Sequence, residues 1–156
     1  MTLKIARFIN LILTALLAGN EFGTWAAVHP ALGTMPTPAH VRAEQALVHR
    51  YGKIMPVWMT AVIVSCLPVA TLARNRGSSR LTLAGMVCFV AMLISTLLGN
   101  VPINNRVLEL APDETSPESW QELREQWDRL HTLRILLNVV GLSLLQLGAL
   151  REEDRR

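Results

Sequence analysis

The stretch Trp127-Asp-Arg-Leu-His-Thr-Leu-Arg-Ile-Leu-Leu-Asn138 decides how the chain is read. In a helix, Trp127, His131, Arg134 and Asn138 follow i, i+4, i+7, i+11 spacing and share one stripe. The stretch runs into the apolar tail Val139–Leu150, long enough to enter a bilayer. An imidazole and a guanidinium below a membrane surface are costly and usually face a protein interior or a site. The stretch therefore predicts a polar pocket inside a small membrane protein.

Outward from it, the composition agrees. Of 156 residues, 51% are hydrophobic and only 17% charged, against about 25% in soluble domains. The apolar residues fall in blocks of roughly twenty, the length that crosses a hydrocarbon core. The expected fold is an all-α membrane protein, a bundle of four transmembrane helices spanning about 3–25, 54–73, 81–100 and 130–150. One domain covers 1–156. A short amphipathic helix is expected in the 1–2 loop, over Ala39–Tyr51, and another short helix in the acidic 3–4 loop. Two cysteines, Cys66 and Cys88, exclude a disulfide framework and form no Cys-x-x-Cys motif. The net charge of +3 comes from short basic clusters beside apolar blocks, which predicts lipid contact and no nucleic acid.

Block one opens with Lys4 and Arg7 and continues apolar through Phe22 and Trp25, so it reads as a retained helix rather than a cleaved signal. Asn10, Thr14 and Glu21 share a stripe of it, with Asn20 close by. Pro30, Gly33, Pro36 and Pro38 predict that this helix stops before Pro30. His40 and His49 read as solvated surface histidines. Block two carries Pro56 near its first turn, a kinking Pro68, and Trp58 at its outer end. Block three ends in Gly99-Asn-Val-Pro-Ile-Asn-Asn-Arg106, whose amides need protein or water partners. Seven of the twelve acidic residues lie between Val101 and Arg129, and all but Asp128 read as a solvated loop and short helix. Trp120 and Trp127 read as interface anchors.

Arg74, Arg76 and Arg80, Lys4 and Arg7, and Arg151, Arg155 and Arg156 fall on one side of four spans. The excess of basic residues predicts that this side is cytoplasmic, with the bundle in the cytoplasmic (inner) membrane and both termini in the cytoplasm. Glu21, Asn100, Asn104, His131, Arg134 and Asn138 then lie at one depth in the outer half. Glu21 either reaches interfacial water or pairs with Arg134. Interhelical hydrogen bonds in membranes average about 0.6 kcal/mol, little against the cost of burying an arginine, about 2.5 kcal/mol or more at the bilayer centre. The balance favours a site over structural glue. No His-x-x-x-His or Glu-x-x-His pair marks a metal site, and no nucleotide-binding glycine motif occurs. No cofactor is expected, although His131, Glu21 and a loop histidine leave a metal open.

Gly-Asn-Val-Pro-Ile-Asn-Asn (99–105), Trp120, Trp-Asp-Arg-Leu-His-Thr-Leu-Arg (127–134) and Asn138, together with Ala-Gly-Asn-Glu-Phe-Gly (18–23), His29-Pro30-Ala-Leu and Met55-Pro56-Val-Trp58, make the chain resemble the anthrone-oxygenase-like family of small four-helix membrane proteins. The resemblance implies oxidation of an apolar, planar anthrone-like substrate that arrives through lipid. It implies His131 as base and Arg134 with Asn100, Asn104 or Asn138 around the developing oxyanion. Glu21 neutralises Arg134 or orients His131, and Trp127 and Trp58 line the pocket. A lipid- or quinone-binding accessory protein and a structural subunit of a larger complex stay open as alternatives, as does a homo-oligomer.

Overall fold

The computed structural model describes residues 2–153; Arg155 and Arg156, counted above in the basic cluster, lie outside them. Four long helices run up and down: α1 (Leu3–Leu32), α2 (Thr37–Leu72), α3 (Arg76–Glu109) and α4 (Pro117–Glu152). Each is long and apolar enough to cross a membrane, as the expected bundle requires, and each is longer than the apolar block that announced it. The amphipathic segment after Pro36 is the first turns of α2, and the segment from Pro117 is the first turns of α4. Neither is a separate short helix. Nothing in either segment ends a helix, so each simply joins the span that follows.

The predicted stop before Pro30 does not occur. α1 widens into a π turn at Thr24–Val28 and then runs on as α-helix over His29–Leu32. α3 does the same at Thr96–Asn100, immediately before Pro102. Proline lacks the N–H and its ring clashes with the carbonyl four residues back. A π turn changes the carbonyl register there, so the chain passes the proline without breaking. The same sequence pattern precedes both, a threonine six residues before the proline: Thr24 and Pro30, Thr96 and Pro102. Each threonine hydroxyl donates back to the carbonyl of residue i−4, Asn20 and Met92, at 2.8 Å.

One end of the bundle is tied by Glu152. Its carboxylate accepts the main-chain N–H groups of Arg74 and Asn75 at 2.9 and 3.0 Å and faces Arg7 at 3.7 Å. α3 and α4 pack closely along this half. A Cβ on Gly85 would come within 3.0 Å of the Gly141 carbonyl, and one on Gly141 within 2.6 Å of the Phe89 ring. Small residues that admit close backbone approach are how helices associate where lipid offers no hydrophobic drive.

Two apolar clusters result. One gathers Leu17, Met59, Val62, Cys66, Phe89, Met92 and Leu145; the other, toward the opposite end, Val41, Ile103, Val107, Trp120, Leu123 and Trp127. Trp120 and Trp127 are therefore core residues, not interface anchors: each has an indole face to bury and a partner for its N–H. Both cysteines are free, Cys66 buried in the first cluster. Between the clusters lies a polar layer.

Candidate functional site

The polar layer follows from the buried seam of α4. Trp120, Arg124, Trp127, His131, Arg134, Asn138, Gly141, Leu145, Gly148 and Glu152 are all buried, spaced alternately four and three apart, as a helix packed along one continuous face requires. Their flanks, including Leu133, Leu136, Val139, Val140 and Leu147, are exposed and suit hydrocarbon. Polar inside and apolar outside is the arrangement expected of a membrane helix that lines a site.

α1 supplies the opposite wall with the same spacing, Asn10, Thr14, Leu17, Glu21 and Thr24. Continued regularly, that seam reaches Val28, yet Val28 is exposed and the His29 side chain keeps only 11% of its surface. The π turn is the reason. It acts as one inserted residue, so Glu21 and His29, eight apart, behave as if seven apart, and an offset of about 80° drops to about 20°. α3 shows the same shift: the seam Phe89, Met92, Thr96 passes over Gly99 and continues at Asn100, Ile103 and Val107.

Arg134 Nη2 donates to Glu21 Oε1 across the bundle. Glu21 has two further contacts, both to one ring: its carbonyl lies 3.3 Å from His131 Nε2 and its Oε2 3.3 Å from His131 Nδ1. Oε2, Nδ1 and Arg134 Nε are buried and have no hydrogen-bonding partner among the described residues. One carboxylate oxygen, one ring nitrogen and one guanidinium N–H are thus free to meet a third molecule. Trp127 stacks on His131 with centroids 4.5 Å apart at 28°. Its indole N–H donates to Asn104 Oδ1 at 2.8 Å. Indole can only donate, so this bond fixes the amide's orientation and leaves the Asn104 NH₂ on the other side.

A second cluster sits beyond Trp127. His29 Nδ1 lies 2.8 Å from Glu44 Oε1 and 3.0 Å from Arg124 Nη2. Arg124 reaches Glu44 at 3.3 Å and Asp128 at 2.9 Å, and stands 4.6 Å over the Trp127 ring. His40 faces Glu44 at 3.5 Å and accepts the Trp120 indole N–H at 3.0 Å. The expectation of a solvated His40 is corrected: its ring is buried, held by a tryptophan from α4. His49 is exposed, as expected.

A cavity of about 110 Å³ opens on both clusters. Its polar wall includes Asn20, Glu21, His29, Asn104, His131 and Arg134; its apolar wall includes Val48, Met55, Met59, Leu93, Leu97 and Val101. Gly52, Pro56 and Leu97 line it and are exposed, so the chamber has a mouth on the outer side of α2 and α3. An open groove of about 730 Å³ lies on the other side, lined by residues that include Trp25, Pro30, Trp120, Arg124 and Asp128. His29 lines both spaces.

Of the residues singled out from the sequence, Glu21, His131, Arg134, Trp127 and Asn104 meet at this chamber. Asn100 and Asn138 are fully buried but do not line it, and neither amide has a partner among the described residues. Trp58 does not line it either: its indole donates to the Leu13 carbonyl at 3.1 Å, tying α2 to α1. His29, Glu44, Arg124, Asn20 and Tyr51 also belong to the site; of these only Asn20 and His29 stand out in the sequence, as parts of motifs and without a role. Tyr51 donates to Asn20 Oδ1 at 3.2 Å, leaving a buried Asn20 NH₂ without a partner. Extending the Trp127 stripe back one turn is enough to find Arg124. No group of three or more His, Cys, Asp or Glu able to hold a metal occurs among the described residues.

A family model described as anthrone oxygenase matches residues 45–144, well over half the chain. The match includes Trp127, His131, Arg134, Asn104 and Arg124, while Glu21, His29 and Glu44 precede it. Neither a curated protein nor a solved structure matches.

Proposed function

Because the chain belongs to the anthrone oxygenase family, we propose that it is a membrane-embedded oxygenase that converts an anthrone-like substrate and O₂ to the anthraquinone and water. The observation that carries this reading is the pairing of two unlike walls around one chamber. An apolar side opens toward α2 and α3, and a polar side has free proton acceptors beside free N–H donors. A flat ketone with one oxygen and one acidic CH₂ uses both.

The base is the edge shared by His131 Nδ1 and Glu21 Oε2, 3.3 Å apart. Two lone pairs face each other there, and a proton taken from the substrate carbon relieves the conflict. Breaking that C–H bond leaves its electron pair delocalised onto the substrate oxygen as a phenolate-like anion. Arg134 Nε–H and the NH₂ groups of Asn104 and Asn20, all on residues that line the chamber, are the donors assigned to hold it. Fixed donors in a water-poor site stabilise such charge strongly. The electron-rich anion passes an electron to O₂; recombination gives a peroxide on carbon. Loss of water from that peroxide, with the second hydrogen of the CH₂, forms the new carbonyl. The scheme calls on no cofactor. The basic end of the bundle supports a location in the cytoplasmic membrane with both termini inside, and substrate enters from lipid at Gly52, Pro56 and Leu97.

The test is turnover by purified protein. Anthrone in detergent under air should give anthraquinone and consume one O₂ per quinone, and His131→Ala should slow the reaction by about 10²–10⁴-fold, the usual contribution of a positioned base. A wild-type protein that leaves anthrone untouched sinks the proposal. The lipid-facing mouth also favours a second reading, binding of a quinone headgroup without chemistry; a co-purified quinone spectrum with no turnover would select it.

A further inference from the structure

The site contains two copies of one chemical unit, one on each side of Trp127. Glu21, His131 and Arg134 form the inner unit. Glu44, His29 and Arg124 form the outer one. Each has a carboxylate in contact with both a histidine and a guanidinium. The Trp127 ring lies 4.5 Å from His131 and 4.6 Å from His29, and the two imidazoles meet edge to face at 5.8 Å. The units differ in what else they reach. The inner lines only the chamber, whereas His29 lines the chamber and the groove, and Arg124 and the half-exposed Asp128 line the groove.

His29 has one ring nitrogen engaged and one free. Its Nδ1 is contested by an acceptor, Glu44 at 2.8 Å, and a donor, Arg124 at 3.0 Å. Bound to Glu44 it carries the proton; facing Arg124 it presents the lone pair. With Nδ1–H held by the Glu44 carboxylate, Nε2 is the nitrogen left to donate or accept a proton. Nε2 is buried with no partner among the described residues. Charged and titratable neighbours come from three sides: Glu44 and His40 on α2, Arg124, Asp128, His131 and Arg134 on α4, and Glu21 on α1.

We propose that His29, oriented by Glu44, is the general acid that delivers a proton to the peroxide oxygen, opposite the His131–Glu21 base. This rests on the oxygenase reading above. The balance is closed. The inner unit removes one proton from the substrate carbon, and His29 Nε2–H gives one to the peroxide anion. The O–O bond then breaks as the second C–H proton leaves, forming the carbonyl and one water. His29 regains its proton from the inner unit through bridging water, or from the groove while the inner unit releases its own to the chamber. Dividing acid and base between two environments is a recurrent solution where one reaction needs both.

The experiment compares wild type, His29→Gln and Glu44→Gln in detergent with anthrone. Three readouts are used: exchange of the CH₂ hydrogens into deuterated water without O₂, quinone formed per O₂ consumed, and substrate hydroperoxide released. The expected result for His29→Gln is exchange within about twofold of wild type, quinone turnover lowered about tenfold or more, and hydroperoxide in the medium. The carbon-bound peroxide, not protonated in place, leaves the site and takes its proton from solvent as the organic hydroperoxide. Glu44→Gln, which keeps the volume, should move the same way by less and stands in if His29→Gln does not fold. Loss of exchange together with turnover, or turnover lost without hydroperoxide, overturns the role of His29 and leaves the oxygenase reading standing. Wild type that neither exchanges nor consumes O₂ overturns both.

Discussion

Glu21 on α1 and Arg134 on α4 form an ion pair with both side chains buried, and it joins the first and last helices at the depth of the chamber. Breaking one partner of such a pair leaves an uncompensated charge, which costs about 3–5 kcal/mol. Glu21→Gln should therefore lower the midpoint of detergent unfolding far more than Glu21→Gln with Arg134→Met, which removes the stranded guanidinium as well. Equal losses in single and double variants, by circular dichroism, would mean the pair contributes nothing to holding the helices.

Asn104 offers a separable test of anion stabilisation. Asn104→Asp keeps an oxygen for the Trp127 indole, so packing and melting temperature should change little. It replaces the free NH₂ with negative charge where the substrate anion forms. Turnover at saturating anthrone should slow by about 10²–10³-fold, the scale seen when an oxyanion donor is lost. Unaltered turnover with a raised KM would reduce Asn104 to a substrate contact.

Entry from lipid predicts an asymmetric kinetic effect. Gly52 sits at the mouth, and a Cβ there meets nothing within 4 Å, so Gly52→Trp should fold. The indole narrows the opening between α2 and α3. KM for anthrone should rise about tenfold or more while KM for O₂ and kcat stay near wild type, because binding alone is obstructed. If both substrates are slowed alike, the mouth is not the route.

Four spans, their up-down order and the inner half of the site are legible in the sequence because each leaves a one-dimensional mark. Apolar blocks set the spans, and His131, Arg134 and Trp127 share a stripe on one helix. The outer unit is not legible because its members are distant in sequence and helix rules cut their helices too short. Pro30 reads as a stop, which detaches His29 from α1, and Ala39–Tyr51 reads as a surface helix, which sends His40 to solvent and leaves Glu44 out. The two errors differ in cause: α2 simply runs on through Gly52 and Pro56 as one α-helix, whereas α1 needs a wide turn. Simple helix rules have no place for a wide turn that carries the chain past a proline, and only Thr24–Pro30 and Thr96–Pro102, read as a repeated pair, hint at one. Trp58 misleads in the opposite direction: an aromatic at a span's end suits the pocket by depth, but its face of α2 points to Leu13.

The wide turn in α1 makes the last prediction. If Thr24–Val28 acts as one inserted residue, deleting the exposed Ala26 should restore an ordinary helix and still leave Glu21 and His29 on one face. Pro30 prevents this in the native sequence, because in a regular helix its ring strikes the carbonyl four residues back, at a cost of about 3 kcal/mol or more. Deleting Ala26 alone should therefore destabilise the protein, whereas deleting it with Pro30→Ala should recover most of the lost stability and keep His29 beside Trp127. Deleting Val87, an exposed residue in the uninterrupted part of α3, is the control: it rotates everything beyond it by about 100° and no proline change can rescue it. Thermal unfolding of the variants reads the comparison. A double variant no more stable than the Ala26 deletion would mean that the π turn does more than carry α1 past its proline.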